Sequence, residues 1–381
     1  MKAARFHRGQ TKASRAHAGS SLRRRIGAAV LAVATAMGLA SAVAPAASAD
    51  DVRAKLGEGC AVASDYPFWV QNCMVHSDAM NQDIKVQVKP AARGGNAGLY
   101  LLDGLRARDD WNGWTHQGHG VDLFADDDVT VVMPVGGASQ FYTDWQQPFG
   151  GPNGPKNPKW ETFLTQELPQ YLERNFHVAK NNNAVAGISM GGTAAMNLAA
   201  WHRDQFKQAT SISGYLNPTW PGLYTGLQIA MNDASPGARV WDMWGSPVDP
   251  ARFRNDPLWQ APRFAGMPLY LSAATGIPTV QDDFIKNPLG VTVGVNLEWM
   301  SHNSTTRFEV ASRLAGANVT TSYPLTGVHN WPYWHTELER ARPQILSALG
   351  AGGAPAPFGC PTGCLGFSGP VSIGEAFSPP R

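Results

Sequence analysis

Apolar and polar residues alternate over residues 83–89, so Ile84, Val86 and Val88 share one face of a predicted half-exposed strand. Residues 99–102 and 129–134 are instead continuous apolar runs, the second closed by Pro134 and Gly136-Gly137. Residues 183–186, 208–212, 268–273 and 319–324 complete the predicted strands. Between them the period changes. Trp160, Phe163, Leu164, Leu168, Tyr171 and Leu172 recur at helical spacing, with Pro169 as the expected kink. Residues 192–201 read as a small-residue helix, and residues 343–349 close a final one. From 214 to 264 the period is lost. Gly, Pro and Trp dominate there, including Trp220, Trp241, Trp244 and Trp259, which predicts short helices and loops over a site. Strands alternating with helices predict an α/β fold, a mostly parallel central sheet with helices on both faces.

One turn in this pattern carries chemistry. The strand ending at Ala186 runs into Gly187-Ile188-Ser189-Met190-Gly191, and a helix follows at once. Strand, sharp turn and helix around G-x-S-x-G make a nucleophile elbow, the signature of the α/β-hydrolase fold. The glycines are needed because the turn crowds its own backbone. The bland alternative is a Gly-rich turn with a solvated Ser.

Composition changes the picture at the two ends. A basic stretch with Arg23-Arg24-Arg25, an Ala-rich apolar run over 26–39 and Ala47-Ser48-Ala49 read as a secretory signal peptide over residues 1–49. An uncleaved anchor is the alternative. The whole chain of 381 residues carries 31 basic and 29 acidic residues, net +2. The first 49 residues hold eight of the basic ones and none of the acidic ones, leaving 23 against 29, net −6. Nucleic acid is therefore an unsuitable partner. Few charges and 13 Trp suit a neutral, hydroxylated or apolar substrate. The domain runs from 50 to 349, and a loosely ordered Gly/Pro-rich tail from 350 to 381. Four Cys in an exported chain predict disulfides, either Cys60–Cys73 with Cys360–Cys364 or a pairing across the termini.

A serine hydroxyl needs a base, and in this fold the order is Ser, acid, His. His202, His302, His329 and His335 follow Ser189. His329 is best placed, in the loop after the last strand, while His202 reads as structural. For the acid, position alone favours Asp282 or Asp283, after the strand at 268–273, over Glu298 in a helical-looking segment. The oxyanion requires backbone N–H groups. Met190, after the nucleophile, and Leu105, in the loop after residues 99–102, are the candidates.

These segments together resemble the secreted mycolyltransferases of mycolic-acid bacteria, the antigen 85 group within the esterase-D-like α/β hydrolases. The resemblance rests on Leu101-Leu102-Asp103-Gly104-Leu105-Arg106-Ala107, Trp111-Asn112-Gly113-Trp114, Gly187-Ile188-Ser189-Met190, Ser213-Gly214-Tyr215-Leu216-Asn217-Pro218 and His329-Asn330-Trp331-Pro332-Tyr333-Trp334, spanning about residues 98–346. It implies that the acid is Glu298, against the positional preference for the Asp pair. It further implies that Asp103, Arg106, Ser213 and Trp331 surround a trehalose headgroup. A loop-closing Asp103–Arg106 pair and a core-packed Trp331 are the alternatives. Arg108, Trp111 and residues 275–286 depart from the family pattern.

The expected function is acyl transfer through a Ser189 acyl-enzyme, with His329 as base, Glu298 as acid and Leu105 and Met190 holding the oxyanion. The acyl group is mycolyl-type and its donor an acylated trehalose. The acceptor is a second acyl trehalose or a cell-wall glycan, at the cell envelope, with no metal or organic cofactor. A secreted carboxylesterase acting on water and an adhesive cell-wall protein are the rival expectations.

Overall fold

A computed structural model describes residues 49–151 and 154–352. The predicted leader up to residue 48, the tail beyond residue 352, and Cys360 and Cys364 lie outside the described residues. The strands are β1 (Cys60–Val62), β2 (Gln71–Ser77), β3 (Gln82–Lys89), β4 (Ala97–Leu102), β5 (Val129–Pro134), β6 (Phe149–Gly151), β7 (Gly154–Lys156), β8 (Asn183–Ile188), β9 (Phe206–Ile212), β10 (Pro268–Ser272) and β11 (Asn318–Ser322). Apart from the hairpin β6–β7 they form one sheet, in the order β1-β2-β3-β5-β4-β8-β9-β10-β11. Pairing is parallel from β5 through β4, β8, β9 and β10 to β11, and antiparallel among β1, β2, β3 and β5.

The apolar runs explain the layers. In β4 every residue is buried, but successive side chains leave opposite faces of a strand. Tyr100 and Leu102 enter one core, with Val132, Val185 and the elbow helix. Leu99 and Leu101 enter the other, with Val131, Met133, Ala184, Ala186 and the final helix Trp331–Leu349. Helices therefore cover both faces of the sheet, as the alternation of elements predicts.

Three details add to the sequence pattern, and the first carries the expected Cys60–Cys73 pairing. The hairpin β1–β2 extends the sheet at its antiparallel edge, and Cys60 faces Cys73 across it in the disulfide. β3 is exposed only at its start, because its last four residues, Gln87 and Lys89 included, are buried. Lys89 Nζ donates to the carbonyls of Phe124 (2.7 Å) and Asp127 (3.2 Å). Burial lowers its ammonium to about 7, the nearby Asp127 charge opposing. Residues 160–176 are helical as expected, but the chain opens into a π turn over Phe163–Glu167 just before Leu168–Phe176, where Pro169 lies. Pro has no N–H for the regular ladder, and the wider turn accommodates that.

Candidate active site

The elbow is strained in a defined way. Ser189 has φ 51° and ψ −118°, between β8 and the helix Met190–Trp201. A Cβ on Gly187 would stand 2.2 Å from the Gly191 carbonyl oxygen, and one on Gly191 would stand 2.5 Å from that of Asp103. Only glycine permits these approaches, and the second brings the loop after β4 against the elbow. Eleven of the twelve residues of the elbow helix are buried, so small side chains let it lie close on the sheet.

All the other candidates arrive from the same, carboxyl-terminal, end of the parallel strands, where α/β sheets place their sites. Leu105 follows β4, Ser213 follows β9, Ala274 follows β10 and His329 follows β11. Glu298 lies on the long helix Pro288–Leu314. Ser189 Oγ and His329 Nε2 are 2.8 Å apart, and His329 Nδ1 and Glu298 Oε2 are 2.8 Å apart. All three residues are buried. With Nδ1–H donating to the carboxylate, Nε2 is left to accept from the serine. Glu298 Oε1 also accepts from Ser213 Oγ (2.8 Å) and from the Ala274 N–H (2.7 Å). The carboxylate is thus held by three donors from three segments. The Asp pair is elsewhere. Asp282 accepts from Asn330 Nδ2 and the Tyr333 hydroxyl, each at 3.0 Å, and Asp283 pairs with Lys286.

The Leu105 N–H donates to no acceptor among the described residues. Met190 begins the elbow helix, so its N–H has no partner within the helix. Gly104 packs over the nucleophile, since a Cβ there would stand 3.8 Å from that of Ser189.

The four residues assigned to a sugar are placed differently from one another. Ser213 does not face open space: its hydroxyl donates to Glu298 and accepts from Trp334 Nε1 at 3.0 Å. Trp331 is 5% exposed and meets Trp114 and Trp334 edge to face, so no ring face is offered to a ligand. Its ring also fills the space beside Gly113, where a Cβ would come within 2.3 Å. Asp103 does not pair with Arg106. Its carboxylate accepts from Gly104 N–H (2.6 Å) and Gly113 N–H (2.7 Å), and burial pushes it up to about 6. Arg106 pairs with Asp233 and keeps a quarter of its side chain in solvent.

Sequence reasoning missed two aromatic neighbours of the base. Trp334 meets His329 edge to face, with centroids 5.0 Å apart. Tyr215 lies 5.9 Å from His329 by ring centroid. Burial, with the Glu298 charge behind it, raises the Tyr215 phenol above its ordinary range, so the group stays protonated. The legible signal was that both stand in segments carrying the family resemblance, Trp334 in the first turn of the helix five residues after His329 and Tyr215 two residues after Ser213. His202 is paired with Glu161 at 2.8 Å, a structural role as expected.

Comparison with known proteins agrees with the fold. The model of the Esterase family matches residues 77–345. The diacylglycerol acyltransferase/mycolyltransferase Ag85B of Mycolicibacterium smegmatis is 43% identical over 289 residues, covering 74% of this chain and 86% of that protein. The diacylglycerol acyltransferase/mycolyltransferase Ag85C of Mycobacterium avium is 37% identical over 294 residues, covering 74% and 78%. Among solved structures, Mycobacterium tuberculosis MPT51 superposes with a TM-score of 0.65 at 28% identity, covering 75% of this chain and all of that one. An S-formylglutathione hydrolase from Agrobacterium tumefaciens shares the fold, with a TM-score of 0.55 at 15% identity, covering 76% and 99%.

Proposed function

The chain belongs to the Esterase family and, within it, to the Ag85 mycolyltransferase group, and on that premise we propose that it moves a mycolyl-type acyl group from an acylated trehalose to a second sugar hydroxyl. One observation carries the reading of the chemistry: Ser189, His329 and Glu298 are joined by two 2.8 Å hydrogen bonds at the end of a strained elbow. His329 Nε2 takes the serine proton as Oγ attacks the ester carbonyl. Glu298 holds the imidazole in the accepting tautomer and stabilises its charged form. The Leu105 and Met190 N–H groups receive the oxyanion, each such donor contributing roughly 3–4 kcal/mol in the transition state. Trehalose leaves with the proton from His329, and an acyl-Ser189 remains. An incoming sugar hydroxyl then reverses the steps.

The surface beside the site supports a long apolar acyl group. Ile277, Val280, Phe284, Ile285, Leu289 and Val293 are all exposed, between β10 and the acid on Pro288–Leu314. Soluble folds rarely leave such a run in water without use for it. At the sugar end, Arg106 is the solvent-reaching member of the four residues first assigned there, and its guanidinium is the donor to trehalose hydroxyls. Asp103 acts by fixing the loop that carries Leu105. Export by the leader over residues 1–49 and action at the cell envelope belong to the same reading. In the described residues no helix is long and apolar enough to cross a membrane.

The test is product analysis by mass spectrometry with trehalose monomycolate as donor. The wild-type chain should yield trehalose dimycolate or acylated glycan, and Ser189→Ala should lose at least about 10⁴-fold. Free mycolic acid as the sole product would make the chain an esterase instead. Undiminished transfer by Ser189→Ala would remove the serine mechanism.

A further inference from the structure

Beyond the triad, two loops are built into one platform. The first leaves β9 and runs from Ser213 to Trp220; the second follows the helix Pro250–Arg254 and runs from Asn255 to Trp259. The Leu258 N–H donates to the Leu216 carbonyl at 3.0 Å. Beneath them lies the fully buried carboxylate of Asp256. Its Oδ2 accepts from Asn217 Nδ2 (3.0 Å), the Thr219 N–H (3.0 Å) and Thr219 Oγ1 (2.6 Å), and its Oδ1 from the Leu258 N–H (2.9 Å). A buried carboxylate that ties two loops together stiffens whatever they carry.

What they carry is two indoles in water. Trp220 is 49% and Trp259 60% exposed. Trp259 Nε1 donates to Thr219 Oγ1 at 3.3 Å, and the Phe253 ring meets it edge to face. The Arg307 guanidinium lies 4.0 Å over the Trp220 ring. Each indole is therefore pinned in place rather than turned into the core. Pinned aromatic side chains lose little rotamer freedom on binding, which suits them as anchors.

The chemistry of the surroundings selects the occupant. A lipid surface calls for contiguous apolar residues, but here the Thr219 hydroxyl meets one indole and the Arg307 guanidinium lies over the other. An anionic chain would meet the acidic balance of the mature protein. Flat indole faces beside the half-buried Thr219 hydroxyl fit the C–H faces and hydroxyls of uncharged sugar rings. The platform is also continuous with the site. Its first loop holds Tyr215 against His329, and Arg307 lies nine residues beyond Glu298 on the same helix, about 14 Å along its axis.

We propose that Trp220 and Trp259 form a docking platform for a neutral polysaccharide acceptor, which presents one of its hydroxyls to acyl-Ser189. This rests on the acyl-transfer reading above. In the transfer step the sugar oxygen forms the new ester bond to the acyl carbon, and the bond from that carbon to Ser189 Oγ breaks. The hydroxyl proton passes through His329 Nε2 to Ser189 Oγ.

The experiment uses the mature full chain with soluble arabinogalactan as the probe. Binding is read by affinity electrophoresis, and acyl transfer is measured to the polysaccharide and, separately, to free trehalose. The double variant Trp220→Ala/Trp259→Ala should weaken polysaccharide binding and raise KM for the polymeric acceptor at least about tenfold. Transfer to trehalose should stay within about twofold, and Trp220→Tyr/Trp259→Tyr should restore most of the binding. Polysaccharide binding by the double variant equal to wild type overturns the platform. So does an equal loss toward both acceptors, and so does Trp-dependent binding to trehalose-glycolipid vesicles without polysaccharide binding. The Ser189→Ala chain separates the two readings: it should bind the polysaccharide as wild type does while transferring nothing.

Discussion

At the scale of single residues the site is a set of short bonds to one carboxylate. Glu298 receives His329, Ser213 and the Ala274 N–H, and Ser213 in turn receives Trp334. Replacing its charge should therefore disturb the base directly. Glu298→Gln is expected to lower kcat about 10³–10⁴-fold with little change in KM, since a neutral amide can hold the imidazole in the wrong tautomer. Asp282→Asn should cost less than about tenfold. Asp282 holds Asn330 and Tyr333, next to the base, but touches no reacting atom. Steady-state kinetics on the two variants checks the pair. A larger loss in Asp282→Asn would return the acid to the Asp pair.

At the scale of elements, the elbow and the acid-bearing helix follow opposite rules. The elbow is local: its glycines, its strand and its helix are contiguous. Gly187→Ala would drive a methyl group onto the Gly191 backbone, which cannot rotate away. A loss of at least about 3 kcal/mol of stability is expected, measured by denaturant unfolding. The helix Pro288–Leu314 hides itself from a hydrophobic reading. Its buried positions are Gly290, Gly294, Glu298, Ser301, Ser304, Thr305 and Ser312, with Val291 and Phe308 as the large apolar ones. Leu289, Trp299, Val310 and Leu314 point outward. The helical period is intact but written in small polar residues. The reason is the Gly214 carbonyl, which accepts from Ser301, Ser304 and Thr305. Those hydroxyls set the rotation of the helix and so aim Glu298.

At the scale of the whole molecule, the sheet separates function from stabilisation. Parallel strands from β4 to β11 deliver the site, while the antiparallel edge carries the disulfide and the buried Lys89. Lys89 makes stability depend on pH. With its native value near 7 and its unfolded value at 10.5, the native state binds fewer protons than the unfolded state between those limits. Stability from this group therefore rises with pH through that window, by at most about 1.4 kcal/mol per pH unit. Lys89→Met should lack that rise. Thermal unfolding of both proteins from pH 7 to 10 checks it, and parallel slopes would contradict it.

The sequence by itself determined the α/β alternation, the elbow at Ser189, the choice of His329 as the proposed base and the loop after β4 as the proposed oxyanion loop. Each follows from short-range physics: the two-residue period of strands, the glycine needed at a crowded turn, a histidine directly after a strand. The proposed acid was not legible in this way. Glu298 and His329 are 31 residues apart, and Asp282 was as plausible by position; a family resemblance had to select between them. Only the tertiary structure could show why Glu298 is the one that reaches. A helix turns each side chain about 100° from the last, so which one faces the base depends on how the helix is rotated against β9 and its loop. Tertiary contacts likewise gave Ser213 to the Glu298 carboxylate and enclosed Trp331 against Trp114 and Trp334. Trp220 and Trp259 stand in the stretch 214–264, where the period is lost, and only the tertiary structure shows them on the surface.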